Sequence, residues 1–167
     1  FSNIYAFDAW DTEVGTSNSV VIAVMDTGID STHADFAGKF QAGSVDCTVN
    51  PCSAVGEPAA ACNHGTRVAG VAAAATNNGV GVAGVSWGAK LFSLRVFPTA
   101  AQGGCTSVDC GGAGCVATDD AIIRALDHAR ITLKPAAAPA KIVVNMSLGA
   151  QDSCPAAVQT AITNAFN

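Results

Sequence analysis

Three stretches of the chain are apolar almost without interruption: SVVIAVMD over 19–26, KLFSLRVF over 90–97 and KIVVNMSLG over 141–149. Short runs rich in Val, Ile and Leu that end in turn-forming residues predict strands buried on both faces, as in a parallel sheet. Between them the period changes. Residues 64–76 carry no proline, are rich in alanine and hold glycine only at Gly65 and Gly70, a pattern that predicts a helix buried on most sides. Thr118 followed by DDAIIRALDHARI predicts an N-cap and an amphipathic helix, with Asp119 and Asp120 suiting its positive end. SCPAAVQTAITNAF over 153–166 predicts a last helix, with Ser153 or Cys154 ahead of a proline suited to the first turn.

The remaining segments read as connections. STHADFAGKF (31–40) predicts a polar surface link, 43–63 a loop pinned by cysteines, and TNNGVGVAGV (76–85) a Gly/Asn turn region. Residues 98–117 predict a long Gly- and Cys-rich loop, and KPAAAPAK (134–141) a connector. Strands alternating with helices predict an α/β class with a mostly parallel sheet, without internal repeats. In such sheets ligands bind beyond the carboxyl ends of the strands, where Asp26 and the Ser147–Leu148–Gly149 turn both fall.

Composition narrows the picture. A chain of 167 residues, half of them hydrophobic and 13% charged, suits a single packed domain over 1–167. The net charge of −5, with eight basic residues spread along the chain, argues against a nucleic-acid partner. No apolar run approaches the roughly 18 residues of a membrane span. The start, FSNIYAFDAWD, lacks a basic end and a long apolar segment, so it is not a signal peptide; an exported protein would be present here in mature form. Seven cysteines, at 47, 52, 62, 105, 110, 115 and 154, have C-x4-C as their close spacing, a poor zinc pattern. They read instead as disulfides of a secreted protein, with pairing open and one cysteine free or bonded outside the chain.

Two residues carry chemistry. Asp26 ends a strand and His64 starts a helix, and either alone is most simply a cap or turn-former. Together they say more. A helix N-terminus disfavours a positive imidazolium, and a nearby carboxylate would restore its stability and fix the ring tautomer, as a general base requires. Gly65 would let another backbone approach closely, and Asn63 is a small polar neighbour.

VVIAVMDTGIDSTHADF, NHGTRVAGVAAAATNNGVGVAGVSWGAKLFSLRVF and KIVVNMSLG, in this order and over about residues 8–166, resemble the subtilisin-like serine proteases. The resemblance implies a three-layer α/β/α fold and endopeptidase activity. It makes Asp26 and His64 the triad aspartate and histidine, likens Ser147, Leu148 and Gly149 to the strand that pairs with an extended peptide substrate, and likens Phe97 to an apolar wall of the substrate subsites. It also likens Asp35 and Asn78, with the carbonyls of Val80 and Val82, to the family's calcium site.

The resemblance stops short of the nucleophile. No Gly-Thr-Ser-Met-Ala-like turn opens a late helix, and Gly15-Thr16-Ser17 lies before Asp26, in the wrong order and context. The oxyanion asparagine is also missing, since Asn164 and Asn167 fall in or just after the last helix. Arg67 stands where the family often has histidine, with only a local effect expected. A companion chain, or a C-terminal part not contained here, is therefore expected to supply the serine, and this chain alone to be inactive. A catalytically inactive scaffold for binding or assembly is the alternative. Other readings are weak: Cys62 as a thiol nucleophile, GVGVAG (79–84) as a dinucleotide loop, and Asn145-Met146-Ser147 as a glycan acceptor on a buried strand.

Overall fold

In the computed structural model of the chain, the described residues are 2–16, 20–54, 59–106, 110, 114–136, 141–150 and 153–166. The apolar runs become β1 (Val20–Asp26), β3 (Lys90–Arg95) and β4 (Lys141–Asn145), and a two-residue strand, β2 (Val45–Asp46), joins them. The sheet order is β2-β3-β1-β4, with all pairs parallel. The helices are α1 (Ala6–Trp10), α2 (His64–Ala73), α3 (Asp119–His128), α4 (Lys134–Ala136) and α5 (Ala156–Phe166).

Alternate positions of β1 serve opposite faces. Val21, Ala23 and Met25 join Phe92 and Leu94 of β3 in a core closed by Ala121, Ile122, Ala125 and Leu126 of α3 and by Val158 and Ala161 of α5. On the other face Val24 and Leu91 pack against Ala69 and Ala73 of α2, with Ile29 and Phe36. The result is the three-layer α/β/α arrangement that the family resemblance implies. α2 covers one face, in the connection from β2 to β3, and α3 the other, in the connection from β3 back to β4. The carboxyl end of β1 lies in the middle of the sheet, at the kind of position where open α/β sheets bind ligands.

Several boundaries differ from the sequence reading, each for a local reason. α2 ends at Ala73 rather than at 76: Ala74 is extended (ψ 143°), and the Ala75 N–H donates to the Asp35 carbonyl at 2.9 Å. β3 and β4 stop at Arg95 and Asn145, so Phe97 and Ser147–Gly149 lie just beyond the strands. Thr118 caps α3 as expected, its hydroxyl accepting from Ala121 N at 3.2 Å. A π-helical turn (Ala129–Leu133) then carries the chain into α4, making the first part of the connector at 134–141 helical. Pro155 precedes α5, its carbonyl accepting from Gln159 N at 3.0 Å, so it is the capping residue itself. β2 lies in the segment read as loop; the Cys47–Cys52 disulfide and paired bonds between Asp46 and Ser53 close the turn behind it.

The polar link at 31–40 is a surface segment only in part: Thr32, His33, Ala34, Ala37 and Gly38 are exposed. Asp35, Phe36 and Lys39 are buried in it, and Phe40 bridges to Leu91. The Lys39 ammonium donates to the Trp87 carbonyl. Burial, with Lys90 nearby, pulls its pKa down to about 8 from the ordinary 10.5. The unfolded chain then holds this proton over a pH range in which the folded chain has lost it, so stability must rise with pH across that window. Between about pH 7.5 and about pH 9.5, the thermal midpoint of the wild type is expected to rise relative to that of Lys39→Met, whose curve should be flatter. Parallel curves from calorimetry would show that the ammonium is not desolvated.

Candidate active site

The carboxyl end of β1 delivers Asp26 beneath the first residue of α2. Its side chain is only 1% exposed, whereas that of His64 is 47% exposed, and His64 Nδ1 lies 2.8 Å from Asp26 Oδ1. A carboxylate can only accept, so Nδ1 carries the proton and the Nε2 lone pair is left for a partner outside. Asp26 Oδ1 also accepts the Thr27 N–H at 2.7 Å, while Oδ2 is buried with no hydrogen-bond partner among the described residues. The result is a fixed anion behind an accessible imidazole, an arrangement suited to general-base catalysis.

The approach of strand end and helix start depends on Gly65. A β-carbon there would lie 2.3 Å from the Gly28 carbonyl oxygen and 3.1 Å from Asp26 Cβ and Oδ1. This is the close approach anticipated from the sequence. Arg67 acts locally as expected, donating to Asn63 Oδ1 at 2.8 Å across the helix start. An open cavity of about 820 Å³ flanks this turn, lined among others by Asp30, His33, Asn63, Thr66 and Arg67.

Cys62 is bonded to Cys110, and Cys105 to Cys115. The sulfurs of Cys62, Cys105 and Cys115 lie within 4.8 Å of one another, but as disulfides they are neither thiolate ligands nor nucleophiles. The first bond ties the loop at 98–117 to the residues just before His64, and the second closes that loop on itself. Cys154 is the free cysteine, and it is exposed.

The expected substrate-strand residues follow β4, which lies beside β1. Ser147 is exposed and accepts from Asn145 Nδ2 at 3.0 Å; Leu148 packs on the α3-side core, and the Cα of Gly149 faces open space. Phe97 follows β3 on the opposite side of β1 and packs on the same core. Ser17, of the misplaced Gly-Thr-Ser, lies outside the described residues.

Asp35 and Asn78 do meet. Asp35 is 2% exposed; its Oδ1 accepts from Asn78 Nδ2 at 3.0 Å and its Oδ2 from Val82 N at 2.9 Å. These bonds, Asn78 first, hold its carboxyl below the usual carboxylate range. Gly81, at φ +57°, wraps so closely that a β-carbon would lie 1.8 Å from Asp35 Oδ2. His33 is exposed, but His128 is half-buried, with Nε2 3.0 Å from the Gly43 carbonyl oxygen.

Two groups beside the site escaped the sequence reading. Thr27 is 2% exposed and hydrogen-bonded on several sides. Arg95, in register beside Asp26, forms a buried ion pair with Asp46. A buried cation between two sheet carboxylates was legible in principle, but only once the strand order was known.

The subtilase family matches residues 17–167. This chain belongs to that family. It is 38% identical over 183 residues to an extracellular protease of Xanthomonas campestris pv. campestris, covering 95% of this chain and 29% of that protein. It is 35% identical over 168 residues to a thermophilic serine proteinase of a Bacillus species (strain AK1), covering 99% of this chain and 34% of that one. The structure of a Pseudoalteromonas arctica protease superposes with a TM-score of 0.66 and 33% identity, covering 94% of this chain and 48% of that one. The subtilase chain thus spans about a third of the curated relatives it matches. These relatives are proteases, one of them a serine proteinase, and the fold of this chain is subtilisin-like.

Gly65→Ala is expected to cost about 1–3 kcal/mol of stability by overpacking the contact with Gly28 and Asp26. It should also separate His64 Nδ1 from Asp26, readable as loss of the hydrogen-bonded ring N–H resonance by NMR. A variant with wild-type melting and an unchanged resonance would mean that the two segments have room to spare.

Proposed function

We propose that this chain carries the aspartate and histidine of a secreted serine endopeptidase, as the N-terminal part of a subtilisin-like peptidase domain. The nucleophilic serine and the oxyanion asparagine come from a companion part, in this chain's continuation or in a second chain. The observation that carries the reading is the 2.8 Å contact between a buried Asp26 carboxylate and a half-exposed His64 ring. Three disulfides among the described residues, on a chain similar to an extracellular protease, support secretion. The open outer edge of β4 supports the companion: among the described residues it has no strand partner, and Val143 is 52% exposed.

In this mechanism Asp26 holds the ring with Nδ1–H toward itself and stabilises the imidazolium that forms. His64 Nε2 takes the proton of the companion's serine as its oxygen attacks the scissile carbonyl, then returns it to the leaving amine. Water repeats the sequence on the acyl-enzyme. Ser147, Leu148 and Gly149 pair with the extended substrate, and Phe97 walls an apolar subsite. The inactive scaffold is the opposing outcome.

A fluorophosphonate probe on native material is expected to label the companion and not residues 1–167. Asp26→Asn should lower kcat about 10⁴-fold, and His64→Ala about 10⁶-fold. Native material that neither takes the probe nor cleaves peptides would establish the scaffold instead.

Asp35, Asn78 and the carbonyls of Val80 and Val82 would hold a structural calcium ion in this reading. The fit rests on a buried carboxylate held, among the described residues, by the neutral donors Asn78 and Val82, in a loop offering the oxygen ligands calcium prefers. Calcium is expected to raise the thermal midpoint of the wild type, and Asp35→Asn to abolish the rise. Equal midpoints with calcium and with chelator would remove the ion from the account.

A further inference from the structure

We infer that Thr27 is a positioning residue for the His64 ring, acting through its hydroxyl as a side-chain cap supplied to α2 from a distant strand end. The inference rests on the serine-peptidase reading for its catalytic consequence, but its geometry stands independently.

A general base must be held to within a fraction of an ångström of its working position. The ring of His64 is fixed at one end by Asp26, and its backbone must be fixed as well. The ordinary device is absent, because the side chain of the capping residue Asn63 makes no capping bond to the backbone of α2 and accepts from the Arg67 guanidinium instead. Its place is taken from across the chain. Thr27 Oγ1 accepts the Gly65 N–H at 2.9 Å and donates to the Cys62 carbonyl at 3.1 Å. These partners flank His64 on both sides, so one hydroxyl spans the ring's own backbone. The Thr27 main chain completes the brace: its N–H donates to Asp26 Oδ1 at 2.7 Å, and its carbonyl accepts from Ala61 N at 2.7 Å. One residue therefore touches the carboxylate directly and grips the histidine's segment at three points.

Burial makes the brace specific. Thr27 is 2% exposed, and Gly65 and Cys62 are buried as well, so water cannot readily replace the hydroxyl. The β-branched side chain also has few rotamers to escape into. Removing the hydroxyl while keeping the shape leaves a buried donor and a buried acceptor unpaired on either side of His64. The least costly relief is movement of the helix start, which carries the ring away from Asp26.

Thr27→Val removes the hydroxyl and Thr27→Ser retains it, while both keep the main-chain bonds. In the enzyme assembled with its serine-bearing part, Thr27→Val is expected to lower kcat about 10-fold to 100-fold with KM within about twofold. Thr27→Ser should restore kcat to within about threefold of the wild type. By proton NMR of the chain, the His64 Nδ1–H resonance should shift or broaden in the valine variant and persist in the serine variant. A valine variant that melts earlier but keeps kcat within about twofold and the resonance unchanged would reduce Thr27 to a structural role and overturn the inference. Should the valine variant not fold, hydrogen exchange in the wild type decides: a protected Gly65 amide supports the brace, and a rapidly exchanging one refutes it. A wild-type assembly without peptidase activity would count against the serine-peptidase reading alone, and the NMR arm would still decide the position of the ring.

Discussion

A carboxylate taken out of water is tolerable only when donors replace its solvent. At Asp26 the available donors are the His64 ring and the Thr27 amide, both directed at the same oxygen. Satisfying that oxygen requires α2 to begin directly over the end of β1. This is possible because nothing larger than hydrogen stands at Gly65 and because the residues of α2 fully buried against the sheet further along, Ala69 and Ala73, are small. The helix is thus registered against the strand by a polar contact at one end and seated by close apolar packing behind it. The same constraint leaves the far edge of the ring outward, since the carboxylate occupies the inner side.

The strands were legible because parallel strands enclosed by two helical layers need no polar face, and their sequences announce it. β2 was not legible. Two residues between a glycine-containing turn and a disulfide carry no periodicity, and what holds them is non-local: Asp46 pairs with Arg95, and the Arg124 guanidinium donates to the Cys47 carbonyl at 2.8 Å. The segment at 31–40 misled for the same reason. Its Asp and Lys look like surface residues until loop 76–82 and Trp87 supply their partners from more than forty positions away. Buried polar residues with distant partners cannot be told from exposed ones by local pattern, and the end of α2, set by a bond to Asp35, inherits the same uncertainty.

At the site, Asp26 and His64 were legible as a pair from their places at a strand end and a helix start and from the surrounding family motifs; each alone is most simply a cap or turn-former. Phe97 and Ser147–Gly149 lie on the rim that the strand order predicts, one segment on each side of β1. The disulfide pairing was not legible. Cys62 reaches across 48 positions to Cys110 rather than to a nearer cysteine, fastening the rim loop to the base of the helix that carries the histidine. Gln102 adds a second fastening, its amide donating to Thr48 at 2.9 Å while its oxygen accepts from Thr99 and Arg95. The long Gly- and Cys-rich loop is therefore braced both to the turn after β2 and to the segment that starts α2.

β4 is where sequence and environment disagree most. Its central residues, Ile142, Val143 and Val144, are as apolar as those of β1, yet β1 has a strand on each side and β4 on one side only, and α2 covers β1 and β3 rather than β4. Val143 stands half-exposed beside Val20, Ile22 and Ala89 in a small hollow on that face. An apolar parallel strand with a free edge and an uncovered face is a liability in water, whereas the same strand inside a wider sheet is ordinary. The sequence of β4 is thus written for an interior position, and so is the segment after it, which bears Ser147–Gly149 on the same rim as Asp26. In the proposed assembly one addition meets both needs: strands that extend the sheet from β4 cover Val143 and place their own carboxyl ends beside His64, where a nucleophile would have to stand.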